Sequence, residues 1–134
     1  VPPMNIPPVN ATTVRVTARP GTDRLSVVTM LICTNDAFTG VDGVALPSEF
    51  GAVAYENKAF DARAEVNNEQ SEFIVDPCFA VGPIKRTPDG NQLAPESGVI
   101  VDHPGIKGGA DLRPEAHGWN PPVVRVIVQR VRIE

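Results

Sequence analysis

Three acidic residues are the best candidates for chemistry in this chain. Asp36 follows a long apolar run, and Asp61 and Glu65 form an Asp-x-x-x-Glu pair in the next polar segment. Carboxylates gathered on loops at one end of a β-fold suit Ca²⁺, which accepts irregular geometry and also takes backbone carbonyls and waters. Acidic loop residues are also commonly just solvated, and the spacing of an EF-hand loop is absent. The spacing alone leaves both alternatives open.

The cysteines predict a covalent link rather than a metal site. Cys33 and Cys78 lie 45 residues apart and are the only two cysteines. In a secreted chain we expect them to form one disulfide, and two buried thiols are the alternative. A zinc site that added His103 and His117 would need four separate segments to converge, without the short Cys-x-x-Cys pairs of structural zinc sites.

Other classes of chemistry find little support in the sequence. No serine lies in a Gly-x-Ser-x-Gly elbow, and no phosphate-binding glycine loop is present, so we expect no enzyme. The net charge of −4 lacks the basic surface that nucleic acids require. The apolar runs are far shorter than the roughly 20 residues of a membrane helix. Asn10 begins an Asn-Ala-Thr sequon, which permits an N-linked glycan.

The composition predicts that short strands position these residues. The chain has 11 glycines and 14 prolines in 134 residues, which favours short elements and many turns, and its frequent valines favour sheets. We therefore predict an all-β fold, an antiparallel β-sandwich with long loops. Four prolines among the first eight residues predict an extended arm over residues 1–11, followed by one domain over residues 12–134.

Individual strands follow from the hydrophobic pattern. Apolar and polar residues alternate over residues 13–17, which predicts a strand with one solvated face. In residues 25–33, apolar side chains occur at both the odd and the even positions, which point to opposite faces of a strand. This predicts a central strand covered on both faces. In the last segment, residues 123–133, the apolar phase slips and predicts a β-bulge at Gln129 and Arg130.

An ordered series of motifs resembles the spondin-type domain, especially its microbial secreted members, over residues 12–133. The residues that carry the resemblance are Arg24-Leu25-Ser26-Val27-Val28-Thr29-Met30-Leu31, Thr34-Asn35-Asp36-Ala37-Phe38-Thr39-Gly40-Val41-Asp42-Gly43-Val44-Ala45-Leu46, Tyr55, Phe60-Asp61-Ala62, Glu65, Asn67-Asn68-Glu69, His103-Pro104-Gly105-Ile106, Gly109, Asp111-Leu112 and Trp119-Asn120-Pro121-Pro122-Val123-Val124-Arg125-Val126.

The resemblance implies an extracellular, non-enzymatic β-sandwich that binds calcium, in a family whose animal members include matrix and cell-adhesion proteins such as F-spondin. In that family the Asp of a Ser-Pro-Asp-Trp-like turn and both acids of an Asp-Ala-Gly-Thr-Asp-like turn are metal ligands. The matching positions here are Asp36, Asp61 and Glu65, with Glu in place of the last Asp. The Gly-Thr of the second turn is Arg63-Ala64. Loss of the glycine disfavours a positive φ, and Arg63 adds positive charge, so we expect weaker calcium affinity or a rerouted loop.

Two functional hypotheses follow. The first is a secreted calcium-binding module that acts in extracellular matrix, adhesion or surface and filament assembly. Family members usually carry a further strand at the front, and a sheet edge left open there predicts self-association through the arm or that edge. The alternative is a carbohydrate-binding module in which Trp119, Tyr55 and Phe38 form a stacking platform, although core packing would equally explain these rings.

Overall fold

The computed structural model describes residues 11–74, 78 and 96–132. Its strands are β1 (Arg24–Met30), β2 (Ala37–Ala45), β3 (Gly51–Asn57), β4 (Phe60–Asp61), β5 (Val101–Asp102) and β6 (Val124–Arg130). The helical elements in these ranges are a 3₁₀ turn (Ser71–Phe73) and one short helix, α1 (Pro114–His117). The predicted all-β class is confirmed. The proline-rich arm and the Asn10 sequon lie outside the described residues, apart from Ala11.

The strands form two antiparallel sheets. The first has the order β1-β2-β4-β5, and the second pairs β3 with β6, with Val53 opposite Val128. β2 contacts both β3 and β6, so the two sheets meet at this strand. Within the described ranges, no helix is long and apolar enough to cross a membrane.

The β1–β2 pairing depends on one close approach of the two backbones. Gly40 lies opposite Val28 on β1 and has a φ of +154°. A Cβ atom at Gly40 would overlap the carbonyl oxygen of Val27, so only glycine permits this strand spacing. β2, the second strand of this pair, begins directly after Asp36.

The core next to this sheet is small and is closed by a disulfide. Ile74, Ile106 and Leu112 are buried together with Cys78. Cys33 packs against this cluster and is bonded to Cys78, with a Cα–Cα distance of 5.0 Å. The predicted disulfide is therefore confirmed, and it excludes these two sulfurs as zinc ligands.

Two strand predictions near the beginning of the chain are wrong. Residues 13–17 are exposed and are not part of a sheet. β1 is an edge strand of the first sheet rather than a central strand, and Val28 on it is 66% exposed. The hydrophobic pattern correctly predicts the strand over residues 25–30, but a pattern within one strand does not specify which strands lie beside it.

The predicted bulge near the end of the chain is also wrong. Gln129 pairs with Ala52 and Arg130 pairs with Gly51, in the same register as the rest of β3 and β6. The apolar phase slips because β6 ends at Arg130, and Val131 beyond it is 48% exposed. A change of phase at a strand end thus resembles a bulge in sequence.

Candidate metal site

The short β2–β4 pairing brings together the acidic residues that the sequence singled out. Asp36 directly precedes β2, and its neighbour Ala37 pairs with Asp61, the last residue of β4. The loop after β4 then turns back over Asp36, whose Oδ2 accepts hydrogen bonds from the backbone N–H groups of Ala64 (2.6 Å) and Glu65 (2.9 Å). We call Asp36, Asp61, Glu65 and the loop 62–65 the acidic corner.

Two carboxylate oxygens of the acidic corner are buried without a hydrogen-bond donor in the described part of the chain. Asp36 Oδ1 and Glu65 Oε2 are both shielded from solvent and accept no hydrogen bond from the described part of the chain. Burial raises the pKa of Glu65, and the negative charge of Asp36 raises it further. Buried carboxylate oxygens are normally paired, so this pair is costly unless a proton or a cation compensates it.

Asp61 is the most deeply buried member of the corner and organises the loop. It is 2% exposed. Its Oδ1 accepts a hydrogen bond from the backbone N–H of Arg63 (2.7 Å), and its Oδ2 accepts one from Asn67 Nδ2 (2.7 Å). Each carboxylate oxygen has a second lone pair, so these bonds orient Asp61 and leave it able to contact a cation.

Arg63 adopts the backbone conformation that the missing glycine was expected to provide. Its φ is +60°, a left-handed value that costs a non-glycine residue about 1–2 kcal/mol. The hydrogen bond of its N–H to Asp61 helps to offset this cost. Its guanidinium forms an ion pair with Glu96 at 2.8 Å, so the positive charge is compensated by another acid. The loop therefore has a positive φ at Arg63, which the absence of glycine there argued against.

A chain of polar side chains supports Asp61 from behind, and the sequence analysis did not assign it a role. The backbone N–H of Gly105 donates to His103 Nδ1 (3.0 Å). His103 therefore carries its proton on Nε2 and donates it to Asn67 Oδ1 (3.1 Å). Asn67 in turn donates to Asp61. The polar run at residues 67–69 is visible in the sequence, but nothing in it indicates that His103 is its partner.

A second polar group fixes the neighbouring loop. Asn35 is buried and donates to Asn68 Oδ1 (3.2 Å), while its own Oδ1 accepts the N–H of Glu69 (3.2 Å). Glu69 is 6% exposed, and its two carboxylate oxygens accept the backbone N–H groups of Lys107 (2.6 Å) and Gly109 (2.8 Å). The segment that follows β5 is therefore tied to the same region as the acidic corner.

The surroundings of His103 hold its ring in the neutral form. Burial lowers the pKa of His103, and Lys107 adds to the decrease. Asp61, Asp36 and Glu69 act in the opposite direction, but the net direction is downward. Protonation of Nδ1 would also place a second N–H against that of Gly105, so the hydrogen-bond network and the pKa agree.

We expect the protein to lose stability as the pH falls below about 6.5, the ordinary histidine pKa. Below this pH, His103 is protonated in the unfolded chain but stays neutral in the folded chain. The free energy of unfolding therefore decreases as the pH falls, until the pH reaches the lowered pKa of His103 in the folded chain. One proton corresponds to at most about 1.4 kcal/mol per pH unit. Urea unfolding between pH 5 and 8 measures this slope, and His103→Gln should reduce it. An NMR titration that placed the His103 pKa above about 6.5 would contradict the prediction.

The remaining residues considered in the sequence have separate structural roles. His117 is buried, and its Nδ1 accepts the backbone N–H of Arg113 (2.8 Å). Tyr55 donates its hydroxyl hydrogen to the carbonyl of Ala45 (3.2 Å). The Phe38 ring lies 5.6 Å from that of Phe60, and the Trp119 ring lies 5.2 Å from that of His103. These contacts favour packing over a shared stacking platform.

Among the described residues, no three or more His, Cys, Asp or Glu side chains are placed so that together they could hold a metal ion. A cation in the acidic corner would therefore need oxygen atoms in addition to those of Asp36 and Glu65. Comparisons with known protein families, curated proteins and solved structures find no match for this chain. The geometry of the acidic corner and the chemistry of its residues thus carry the functional argument.

Proposed function

We propose that the protein is a secreted, non-enzymatic, calcium-binding β-sandwich module that acts in extracellular matrix, adhesion or surface and filament assembly. The observation that carries the calcium proposal is the pair of shielded, unpartnered oxygens, Asp36 Oδ1 and Glu65 Oε2. A divalent cation between these carboxylates would compensate both charges, with further oxygen ligands supplied by backbone carbonyls or water.

The donor set favours calcium over transition metals. Asp36, Asp61 and Glu65 offer hard oxygen atoms, and both cysteines are held in the disulfide. Calcium takes six to eight oxygen ligands and accepts backbone carbonyls and water. Only a few of these ligands therefore need to be carboxylates. Bound there, the ion would tie the loop after β4 to the start of β2.

An extracellular location is supported by the disulfide. Disulfides persist in oxidising compartments and are rare where thiols are kept reduced. A module stiffened by one disulfide and one ion would resist proteolysis outside the cell, because both constraints oppose local opening of the same corner. This role requires no catalytic group.

We expect Ca²⁺ to raise the melting temperature of EDTA-treated protein in a saturable way. Mg²⁺ at the same concentration should raise the melting temperature much less. Ligand linkage gives about 2.7 kcal/mol of stabilisation when Ca²⁺ is 100 times the Kd. That corresponds to a shift of roughly 10 °C for a domain of this size. Differential scanning calorimetry measures the shift, and isothermal titration calorimetry gives the stoichiometry.

Glu65→Gln is the decisive variant, because the side chain of Glu65 makes no hydrogen bond that the substitution would break in the described structure. In EDTA it should be as stable as the parent or more stable, since it removes the repulsion with Asp36. In Ca²⁺ most of the shift should disappear. Glu49→Gln, at an exposed residue outside the corner, should keep the full shift. Equal calcium shifts in Glu65→Gln and the parent would contradict the site.

A further inference from the structure

The exposed segment 13–17 has the properties of a strand without a sheet. Val14 and Val16 alternate with polar residues, as in a strand with one buried face, yet they are 43% and 56% exposed. The segment lies outside both sheets and makes no hydrogen bond with the described part of the chain. An alternating apolar strand buries its apolar face only when it joins a sheet, so the isolated chain leaves it incomplete.

β1 has one edge along which none of the other described strands pairs. β2 lies along one side of β1, and none of the other described strands lies along the other side. Val27 and Val28 on this edge are 38% and 66% exposed. A seven-residue edge strand with exposed valines and free backbone groups is a template for a further strand.

From these two observations we infer that segment 13–17 of one copy of the protein adds as a strand to the free edge of β1 in a second copy. This inference rests on the proposed self-association but not on the calcium site. Each copy carries one donor segment and one acceptor edge, so the contact is head-to-tail and repeats along a chain of copies. It therefore yields a ring or a filament.

The faces of the two strands are compatible. Val27 and Thr29 lie opposite Val41 and Thr39, which are buried, so this side of β1 continues the covered side of the sheet. A donor strand with its valines on that side would extend the same apolar surface over Val27. Its Arg15 would then face the other side of the sheet.

Charge also favours this pairing. The charged residues between residues 11 and 22 are Arg15 and Arg19, so the donor segment is cationic. Two exposed acids lie near β1: Asp23 precedes it, and Asp42 on the neighbouring strand β2 accepts a hydrogen bond from Ser26. Arg24 also lies on β1, but its guanidinium donates to the carbonyl oxygen of Gly43.

A second copy is a better occupant of the edge than the donor segment of the same chain. Residues 18–23 connect the segment to β1 and include a turn in which the N–H of Thr22 donates to the carbonyl of Arg19 (2.9 Å). Although the segment is this close in sequence, it does not pair with its own β1. The edge is thus open for a strand from outside.

The inference is tested with Val14→Pro/Val16→Pro, which removes two backbone donors from the segment and changes nothing that the described fold contacts. Light scattering coupled to size-exclusion chromatography should show that the parent assembles as its concentration rises. The double variant should stay at the monomer mass of 14.3 kDa with an unchanged melting temperature. Val99→Ser, which removes a 78% exposed valine elsewhere, should assemble like the parent.

A complementation experiment identifies the acceptor. A synthetic peptide of residues 11–18 should bind the proline variant and slow the amide exchange of β1, and Val27→Lys on that edge should abolish the binding. Assembly of the proline variant at parental strength would overturn the donor strand while leaving self-association in place. A parent that stays monomeric would overturn both the donor-strand inference and the proposed self-association, whether or not its own segment protects the β1 amides from exchange. The calcium proposal is judged separately by the melting shift, with all samples measured in EDTA and in Ca²⁺.

Discussion

Glu69→Gln should lower the free energy of unfolding by about 3 kcal/mol, although the two side chains have nearly the same shape. Glu69 is 6% exposed, and both of its carboxylate oxygens accept backbone N–H groups, those of Lys107 and Gly109. Glutamine keeps one acceptor but turns an NH₂ group toward a backbone N–H. A charge-assisted bond, worth about 1.5–3 kcal/mol, is lost, and a backbone donor remains without a partner.

Below the melting transition, the loss of stability in Glu69→Gln should be confined to the loop that contains Lys107 and Gly109. Hydrogen exchange followed by NMR should show the amides of Lys107 and Gly109 losing protection in the variant below its melting transition. Glu72→Gln changes an exposed acid three residues away and should alter the unfolding free energy by less than about 0.5 kcal/mol. If urea unfolding of Glu69→Gln also fell within that range, the two hydrogen bonds would not hold the loop.

The acidic corner was predictable from the motifs, but its construction was not. Asp36, Asp61 and Glu65 were selected by acidic type and by their resemblance to a family pattern, and the β2–β4 pairing places them at one corner. Asn67 and His103, which orient Asp61, were not assigned roles, because a hydrogen bond between residues 36 positions apart leaves no periodic trace in a sequence.

The strand neighbours were the least predictable part of the fold. Residues 25–30 were correctly recognised as a strand. Among the described strands, however, β1 lies at the edge of its sheet, because the hydrophobic pattern reports the environment of each face and not which strands lie beside it. Arg63 is the converse case. The absence of glycine argued against a positive φ, yet hydrogen bonds to Asp36 and Asp61 around the turn impose it. Tertiary contacts decide both outcomes.

Cys33→Ala/Cys78→Ala should lower the free energy of unfolding by about 3–4 kcal/mol and the melting temperature by about 10–15 °C. The bond closes a loop of 45 residues, and removing it restores that conformational freedom to the unfolded chain. Cys78 also lies in the buried cluster with Ile74 and Leu112, so the variant loses some packing as well. Urea unfolding should therefore show a lower midpoint.

Reduction of the parent by a thiol reagent is the matched control, because it breaks the bond while keeping both sulfur atoms in place. The reduced parent should lose most of the same free energy, and a loss below about 1 kcal/mol would show that the bond does not limit the unfolded chain. The calcium-dependent shift should survive in the folded fraction of both samples. The turn that carries Asp36 is closed by Thr34, whose hydroxyl oxygen accepts the N–H of Ala37 (3.0 Å), and does not depend on the sulfurs. Cys33 nevertheless lies three residues before Asp36 and next to Thr34, so we expect the contributions of the disulfide and the ion to stability to be coupled rather than simply additive.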